Sequence, residues 1–236
     1  GLPQVQNIYG QGAGGIFSPT TNNSYGPKFG SIPSVVNGLV IGGIPVTNYQ
    51  AYPNNINEYF RQATTAANNI TINAGDALRN QTFSIGNLTE QGILYNTFLK
   101  RTNLRFGANA AVGEKIKVGG SITYTNTVQQ GTQGGNASGL ATVLGAGRSI
   151  NLTGYRDSGT YKTPTGLNNW IVAGTDNPYF NAFENPSNSN LNRFNGNVTV
   201  GWDLLKWLNI SYQVGGDIYT DRRKQILSIS SQRAPT

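Results

Sequence analysis

The stretch "NLRFGANAAVGEKIKVGGSITYTNT", residues 103–127, decides the fold. Leu104, Phe106, Ala108, Ala110 and Val112 alternate with Asn103, Arg105 and Asn109. A tight Gly113-Glu114-Lys115 turn follows. The alternation resumes with Ile116, Val118, Gly120, Ile122 and Tyr124 against Lys117, Ser121, Thr123 and Thr125. Successive strand side chains point to opposite faces, so this is a β-hairpin with one apolar and one polar face. The question it raises is whether the apolar face meets a protein core or lipid.

Working outward, the same period recurs. A strand is expected over about 67–74 (Ile70, Ile72, Ala74 in phase), and a second over about 81–88 (Phe83, Ile85) after the short "GDALRNQ" turn. The link "TEQGILYNTFLK" (89–100) leads into the hairpin. Residues 128–190 are a long irregular stretch rich in Gly, Asn, Ser and Pro. A fifth strand is expected over 191–202 (Phe194, Gly196, Val198, Val200, Trp202). A short "DLLKW" turn leads to the sixth over 208–220 (Leu208, Ile210, Tyr212, Val214, Ile218). Residues 1–65 read as loop, with a short helical turn near 54–63 in which Asn57 caps and Glu58 favours the first turn. The chain thus divides into a loop-rich segment (1–65), four strands (66–127), a long loop (128–190), and two strands with the start of a further loop (191–236).

The order of connections carries the next inference. In an antiparallel meander, alternate connections lie at the same end. Here one end has only tight turns and the other has every long loop. Outer-membrane barrels sort their loops in this way, with short periplasmic turns and long extracellular loops. Tyr124, Trp202, Trp207, Tyr212 and Tyr219 fall near expected strand ends. Trp and Tyr favour membrane interfaces because the ring is apolar and the tip polar. The plainer alternative is cross-strand packing. The expected fold class is therefore all-β, an antiparallel meander forming part of a transmembrane β-barrel. Its apolar face would meet lipid, and Arg105 and Lys117 would face a watery or plugged interior.

Composition agrees and excludes several chemistries. Charged residues are 11% of the chain, against about 25% in an average soluble domain. Cys, Met and His are absent, which excludes a disulfide framework, a His-based metal site, a Cys nucleophile and a His triad within this chain. No metal or other cofactor is expected. The net charge is +7, but the basic residues are scattered apart from Lys100-Arg101 and Arg222-Arg223-Lys224, and no nucleic-acid module is recognisable. No run of about 18 apolar residues exists; "LVIGGIPV" (39–46) is short and broken by Gly and Pro. A transmembrane β-strand needs only about 9–11 residues with one apolar face. Asp157, Asp176, Glu184 and Asp203 are spread over loops and a turn with no motif spacing, so no enzyme activity is expected. "YGQGAGG" lacks the strand–helix setting and the Lys-Ser/Thr ending of a phosphate loop. The ligand-contact candidates are the loop aromatics Tyr155, Tyr161, Trp170, Tyr179 and Phe180, with Asn168, Asn169 and Asp176 as hydrogen-bonding groups. The competing role for these aromatics is packing the loop against its neighbours.

An ordered set of segments stands out: "LPQVQNIYGQGAGG" (2–15), "SYGPKF" (24–29), "AYPNNINEYFRQA" (51–63), "NNITINAG" (68–75) and "TFSIGNLTEQGILYNTFLKRTNL" (82–104). "ITYTNT" (122–127), "NPYF" (177–180) and "GWDLLKWLNISYQVGGDIYTDRR" (201–223) complete the set. In this order they resemble the SusC/RagA-type TonB-linked outer-membrane transporters of the Bacteroidetes. Tyr25 stands where the family pattern has Trp. The resemblance implies a plugged barrel of about 22 strands. That barrel would import a large nutrient, glycan or oligopeptide, across the bacterial outer membrane. TonB would drive it, and a SusD-type surface lipoprotein would form its lid. Six strands cannot close such a barrel, and the chain begins Gly-Leu-Pro without an initiator Met, so it is expected to be an internal segment of a longer polypeptide. The alternative function is a non-transporting barrel subunit that acts as a scaffold for other subunits of an outer-membrane complex. A third reading, a soluble Gly/Asn-rich adhesin or solenoid, lacks the fixed repeat that solenoids show.

Overall fold

The computed structural model describes residues 6–31, 40–41, 44–45, 49–135, 138–172 and 174–232. Residues 2–5 and residues 39, 42, 43 and 46 of "LVIGGIPV" lie outside them. Two small ladders come first: β1 (Gly12–Ala13) with β2 (Ile16–Phe17), and β3 (Val40–Ile41) with β4 (Ile44–Pro45). Helix α1 (Asn55–Tyr59) follows. The six long strands are β5 (Thr64–Gly75), β6 (Arg79–Gln91), β7 (Phe98–Val112), β8 (Ile116–Gly131), β9 (Ser187–Leu205) and β10 (Leu208–Gln225). They form one antiparallel sheet in chain order, β10-β9-β8-β7-β6-β5. Between β8 and β9 lie α2 (Gly139–Leu144), α3 (Leu152–Asp157) and α4 (Pro178–Glu184).

The sheet is the expected meander, and its turns sort as expected. Residues 76–78, 113–115 and 206–207 close one end, while 92–97 and 132–186 leave the other. Gly113 takes φ +68° in its turn, a left-handed conformation that glycine adopts without steric cost. The strands outrun the expected bounds at the loop end. β7 begins at Phe98, inside the link, rather than after it; β8 continues to Gly131, and β9 starts at Ser187. Helix α1 is also shorter than 54–63. Asn54, not Asn57, stands at its N-cap, without a side-chain capping bond, while the Asn57 carbonyl accepts from the Phe60 N–H.

Register makes the apolar face continuous. Ile70 pairs with Ile85, Ile85 with Leu104, Leu104 with Tyr124, Tyr124 with Phe194, and Phe194 with Ile218. Below this row run Ile72, Phe83, Phe106 and Ile122, then Val198 with Val214, Val118 with Val200 and Tyr212, and Ile116 with Trp202 and Ile210. These side chains are uncovered: Ile70 is 63% exposed, Val198 57% and Ile218 76%. The opposite face is polar and self-paired. Thr125 Oγ1 donates to Asn103 Oδ1 at 3.0 Å, Asn109 Nδ2 to Asn80 Oδ1 at 3.1 Å, and Arg193 Nε to Asp217 Oδ1 at 2.8 Å. Lys117 Nζ lies 3.1 Å from Asp203 Oδ2.

The apolar face stops abruptly toward the loop end. One row beyond Tyr124 the same face carries Asn68, Asn87, Thr102, Asn126, Asn192 and Thr220. Tyr124 straddles the boundary: its ring lies 4.6 Å from that of Phe194, and its hydroxyl donates to Asn192 Oδ1 at 2.8 Å. Asn126 Nδ2 donates to Asn192 Oδ1 at 2.9 Å. The expected aromatic set needs correction here. Tyr124 marks the end of the apolar band and not of its strand. Tyr219 pairs with Arg193 and so lies on the polar face, because its odd position puts it out of phase with Ile218. Trp207 sits in the turn after β9, whereas Trp202 and Tyr212 are on the apolar face.

The centre of that face carries glycine where backbones approach closely. A Cβ at Gly196 would stand 2.7 Å from the Ser121 carbonyl oxygen, well inside contact distance. Gly196→Ala is therefore expected to destabilise the sheet by about 1–3 kcal/mol. Denaturant unfolding followed by circular dichroism checks this, with Gly216→Ala, which meets nothing within 4 Å, as the control.

Candidate functional site

The loop-end segments fold into a packed cap. Helices α2, α3 and α4 are each started by a side-chain acceptor: Ser138 Oγ for the Ala141 N–H, Asn151 Oδ1 for Gly154, and Asn177 Oδ1 for Tyr179, with Pro178 in the first turn of α4. These bonds satisfy N–H groups that a helix start leaves unpaired. The apolar centre is Ile56, Tyr59, Val143, Ile150, Leu152, Tyr155, Ile171 and Tyr179. Tyr59, Tyr95 and Tyr179 form an aromatic cluster with ring centroids 5.0–6.1 Å apart. The cap is tied to the sheet by Asn96 Nδ2, which donates to the Ala182 carbonyl at 2.9 Å, and by Gln130 Nε2, which donates to Asn96 Oδ1 at 2.6 Å.

This packing redistributes the ligand-contact candidates. Tyr155, Tyr179 and Phe180 are buried in the cap, so they build it rather than present a surface. Asp176 is buried as well. It accepts from Asn185 Nδ2 at 3.1 Å, from Ser231 Oγ at 2.6 Å and from the Gln232 N–H at 2.8 Å, which fastens the segment after β10 to the cap. Asn168 and Asn169 serve internally too. Asn168 Oδ1 accepts the Asn177 N–H at 2.9 Å, and Asn169 Nδ2 donates to the Thr160 carbonyl at 2.7 Å. Tyr161 and Trp170 remain part-exposed. Their rings lie 5.5 Å from Phe183 and 5.3 Å from Tyr155, respectively. The candidates therefore share one structural unit, and only these two aromatics offer ring surface outward.

The carboxylates are likewise occupied. Asp157 pairs with Arg156, Glu184 with Lys162 at 2.9 Å, and Asp203 with Lys117. Among the described residues no cluster of three or more metal-ligating side chains occurs. No described helix is long and apolar enough to cross a membrane, which leaves strands untouched. The residues missed in the sequence are Tyr59 and Tyr95, which have no periodic pattern around them, and Arg148. The Arg148 guanidinium is buried, and burial lowers its pKa from the ordinary arginine value.

Two surfaces are thus available for function: an uncovered apolar face on the sheet, and a cap over one end built on buried tyrosines. No protein-family model matches the chain, and no curated protein matches its sequence.

Burial pushes the phenols of Tyr59, Tyr155 and Tyr179 well above the ordinary tyrosine value. A raised pKa in the folded state favours the neutral phenol. The stability it represents is present below the unfolded value of about 10 and is lost as pH rises beyond it. Spectrophotometric titration is expected to show these three phenols ionising only as the cap opens. A single transition for all tyrosines would contradict the packing described.

Proposed function

We propose that the chain is a wall segment of a SusC/RagA-type, TonB-dependent outer-membrane barrel that imports a large nutrient, glycan or oligopeptide. The observation that carries this is the apolar face, continuous across six registered strands and bounded by a row of Asn and Thr. Soluble monomers rarely leave a contiguous apolar surface of this extent uncovered. Lipid tails are an apolar medium that accepts such a face, and the tyrosine at its margin has its hydroxyl on the polar side. The polar face then lines the barrel interior, where the Arg193–Asp217 and Lys117–Asp203 pairs sit in a hydrated lumen.

The edges support a larger barrel. Among the described residues β5 and β10 have no partner on their outer sides. Open edges do not persist in hydrocarbon, where unpaired backbone groups cost several kcal/mol each. In the proposed barrel of about 22 strands, β5 and β10 continue into neighbouring strands. The cap stands at the extracellular mouth, where a SusD-type lipoprotein would dock. TonB would act through other parts of the protein.

Uptake of labelled oligosaccharides and oligopeptides by cells with and without TonB tests the transport claim, and uptake that ignores TonB would overturn it. The lipid contact has its own test. Val198→Arg, near the middle of the apolar face, is expected to lower folding stability in vesicles by about 2–4 kcal/mol. Gln213→Arg on the opposite face is expected to change it little. Equal effects at both positions would remove lipid as the partner of the apolar face.

A further inference from the structure

The charges of the sheet are sorted by face. Its acidic residues are Glu90, Asp203, Asp217 and Asp221, and register puts all of them on the polar face. There Lys117 pairs with Asp203, Arg193 with Asp217 and Arg223 with Asp221. The apolar face carries Arg79, Lys100, Arg222 and Lys224, and no acid among the described strands. All four bases are exposed, and none forms an ion pair among the described residues. A soluble surface normally intersperses both signs.

The positions of these bases are as selective as their sign. Lys100 is opposite Val128, Val128 opposite Asn190, and Asn190 opposite Arg222. This row lies one step beyond the Asn and Thr row that ends the apolar band. Lys224 follows Arg222 on the same face, opposite Asn188 and about 7 Å further along the strand. Lys100 Nζ lies 5.5 Å from the centre of the Phe98 ring, its neighbour on that face. Arg79 stands at the opposite margin. It pairs with Ala110 and borders an open depression of about 490 Å³ with Phe106, Ala108, Val118, Ile122 and Val198. Asp76, in the adjoining turn, accepts from the backbone N–H groups of Leu78 and Arg79.

The spacing between the two margins matches a bilayer. Ten residues of β7 separate Lys100 from Ala110, the partner of Arg79. At the rise of an antiparallel strand that is about 34 Å of chain. Tilted by about 40°, it spans about 26 Å, close to the roughly 25 Å apolar band of outer-membrane barrels. The bases thus stand at the two headgroup levels, with no charged residue between them on that face. Phosphate is the anionic group of lipids at those levels, and each Lys or Arg near an anionic membrane surface adds attraction. A guanidinium offers phosphate a planar pair of donors, and an ammonium offers a compact charge.

We infer that Lys100, Arg222 and Lys224 form a contact site for the phosphate of an anionic lipid headgroup at the loop-end margin, with Arg79 serving the opposite leaflet. Arg222 and Lys224, adjacent on one face of one strand, are its centre. The site rests on the lipid contact proposed above and adds headgroup charge to it.

Electron spin resonance of the full-length protein in phosphatidylcholine vesicles tests it. A trace of phosphatidylcholine or of phosphatidylglycerol carries a spin label on one acyl chain. The immobilised fraction of phosphatidylcholine reports lipid contact itself, and any excess for phosphatidylglycerol reports preference for the anionic headgroup. A preference of about twofold or more is expected. It is expected to vanish at about 1 M salt, where the screening length is about 3 Å, while the phosphatidylcholine fraction stays. Lys100→Gln, Arg222→Gln and Lys224→Gln combined are expected to bring the preference down toward equality, whereas Arg105→Gln on the polar face leaves it unchanged. The phosphatidylcholine fraction of the triple variant shows that its wall is intact. No preference in the native protein, or a preference that the triple variant keeps, would overturn the site and leave the lipid contact standing. No immobilised fraction of either lipid would overturn the lipid contact and the site with it.

Discussion

Everything in the sheet depends on register. A strand has a side-chain period of two, so a slip of one residue would turn its apolar set to the opposite face. Across five successive pairings no such slip occurs between Ile70 and Ile218. Tight turns at one end fix each hairpin, and polar side-chain pairs such as Thr71 with Ser84 and Asn103 with Thr125 lock the reverse face. The irregularity at Leu208/Asn209 lies beside the last turn and leaves the alignment above it intact. A surface apolar on one side and hydrogen-bonded on the other is the result.

That division of faces explains where the chain keeps its buried core. The six strands contribute little to it; β5 and β10 are exposed almost throughout. The buried apolar side chains belong to the cap, with Tyr59, Leu152, Tyr155, Tyr179 and Phe180 among the most enclosed. The sheet presents apolar surface outward, and the loops pack inward on themselves. In a soluble β-protein the pattern is the reverse, because the sheet's apolar face is what folding buries. The inversion, more than any single residue, is what supports the proposed lipid contact of the sheet.

Much of the sheet was legible in the sequence. The hairpin at 103–127 pairs as its alternation implies, with Leu104 opposite Tyr124 and Val112 opposite Ile116. The strand ends toward the cap were not legible. Beyond Tyr124 the face turns to Asn and Thr, and a strand polar on both faces has no period to detect. The cap was less legible still. Its helices have five to seven residues, too short for an amphipathic pattern to repeat. Tyr155, Tyr179 and Phe180 looked like loop aromatics because burial there depends on contacts distant in sequence, such as that of Tyr179 with Tyr59. Tyr219 is a different case: its odd position relative to Ile218 already placed it on the polar face.

The cap and the sheet meet at the β6–β7 connection, where Leu94 and Tyr95 pack against the cap core and polar side chains add further ties. Gln130 and Arg61 hold backbone carbonyls of the β6–β7 connection, Asn96 of that connection holds the Ala182 carbonyl in α4, and Asp176 holds the segment that leaves β10. Hydrogen bonds at such a junction suit a boundary that water reaches. They also fix geometry more narrowly than apolar contacts do, since each has a preferred distance and angle. The cap is thereby held in one orientation over the end of the sheet while its own tyrosine core stays separate from the outward apolar band. The row of Asn and Thr just past Tyr124 separates two apolar regions of one chain, one that packs against itself and one that faces outward.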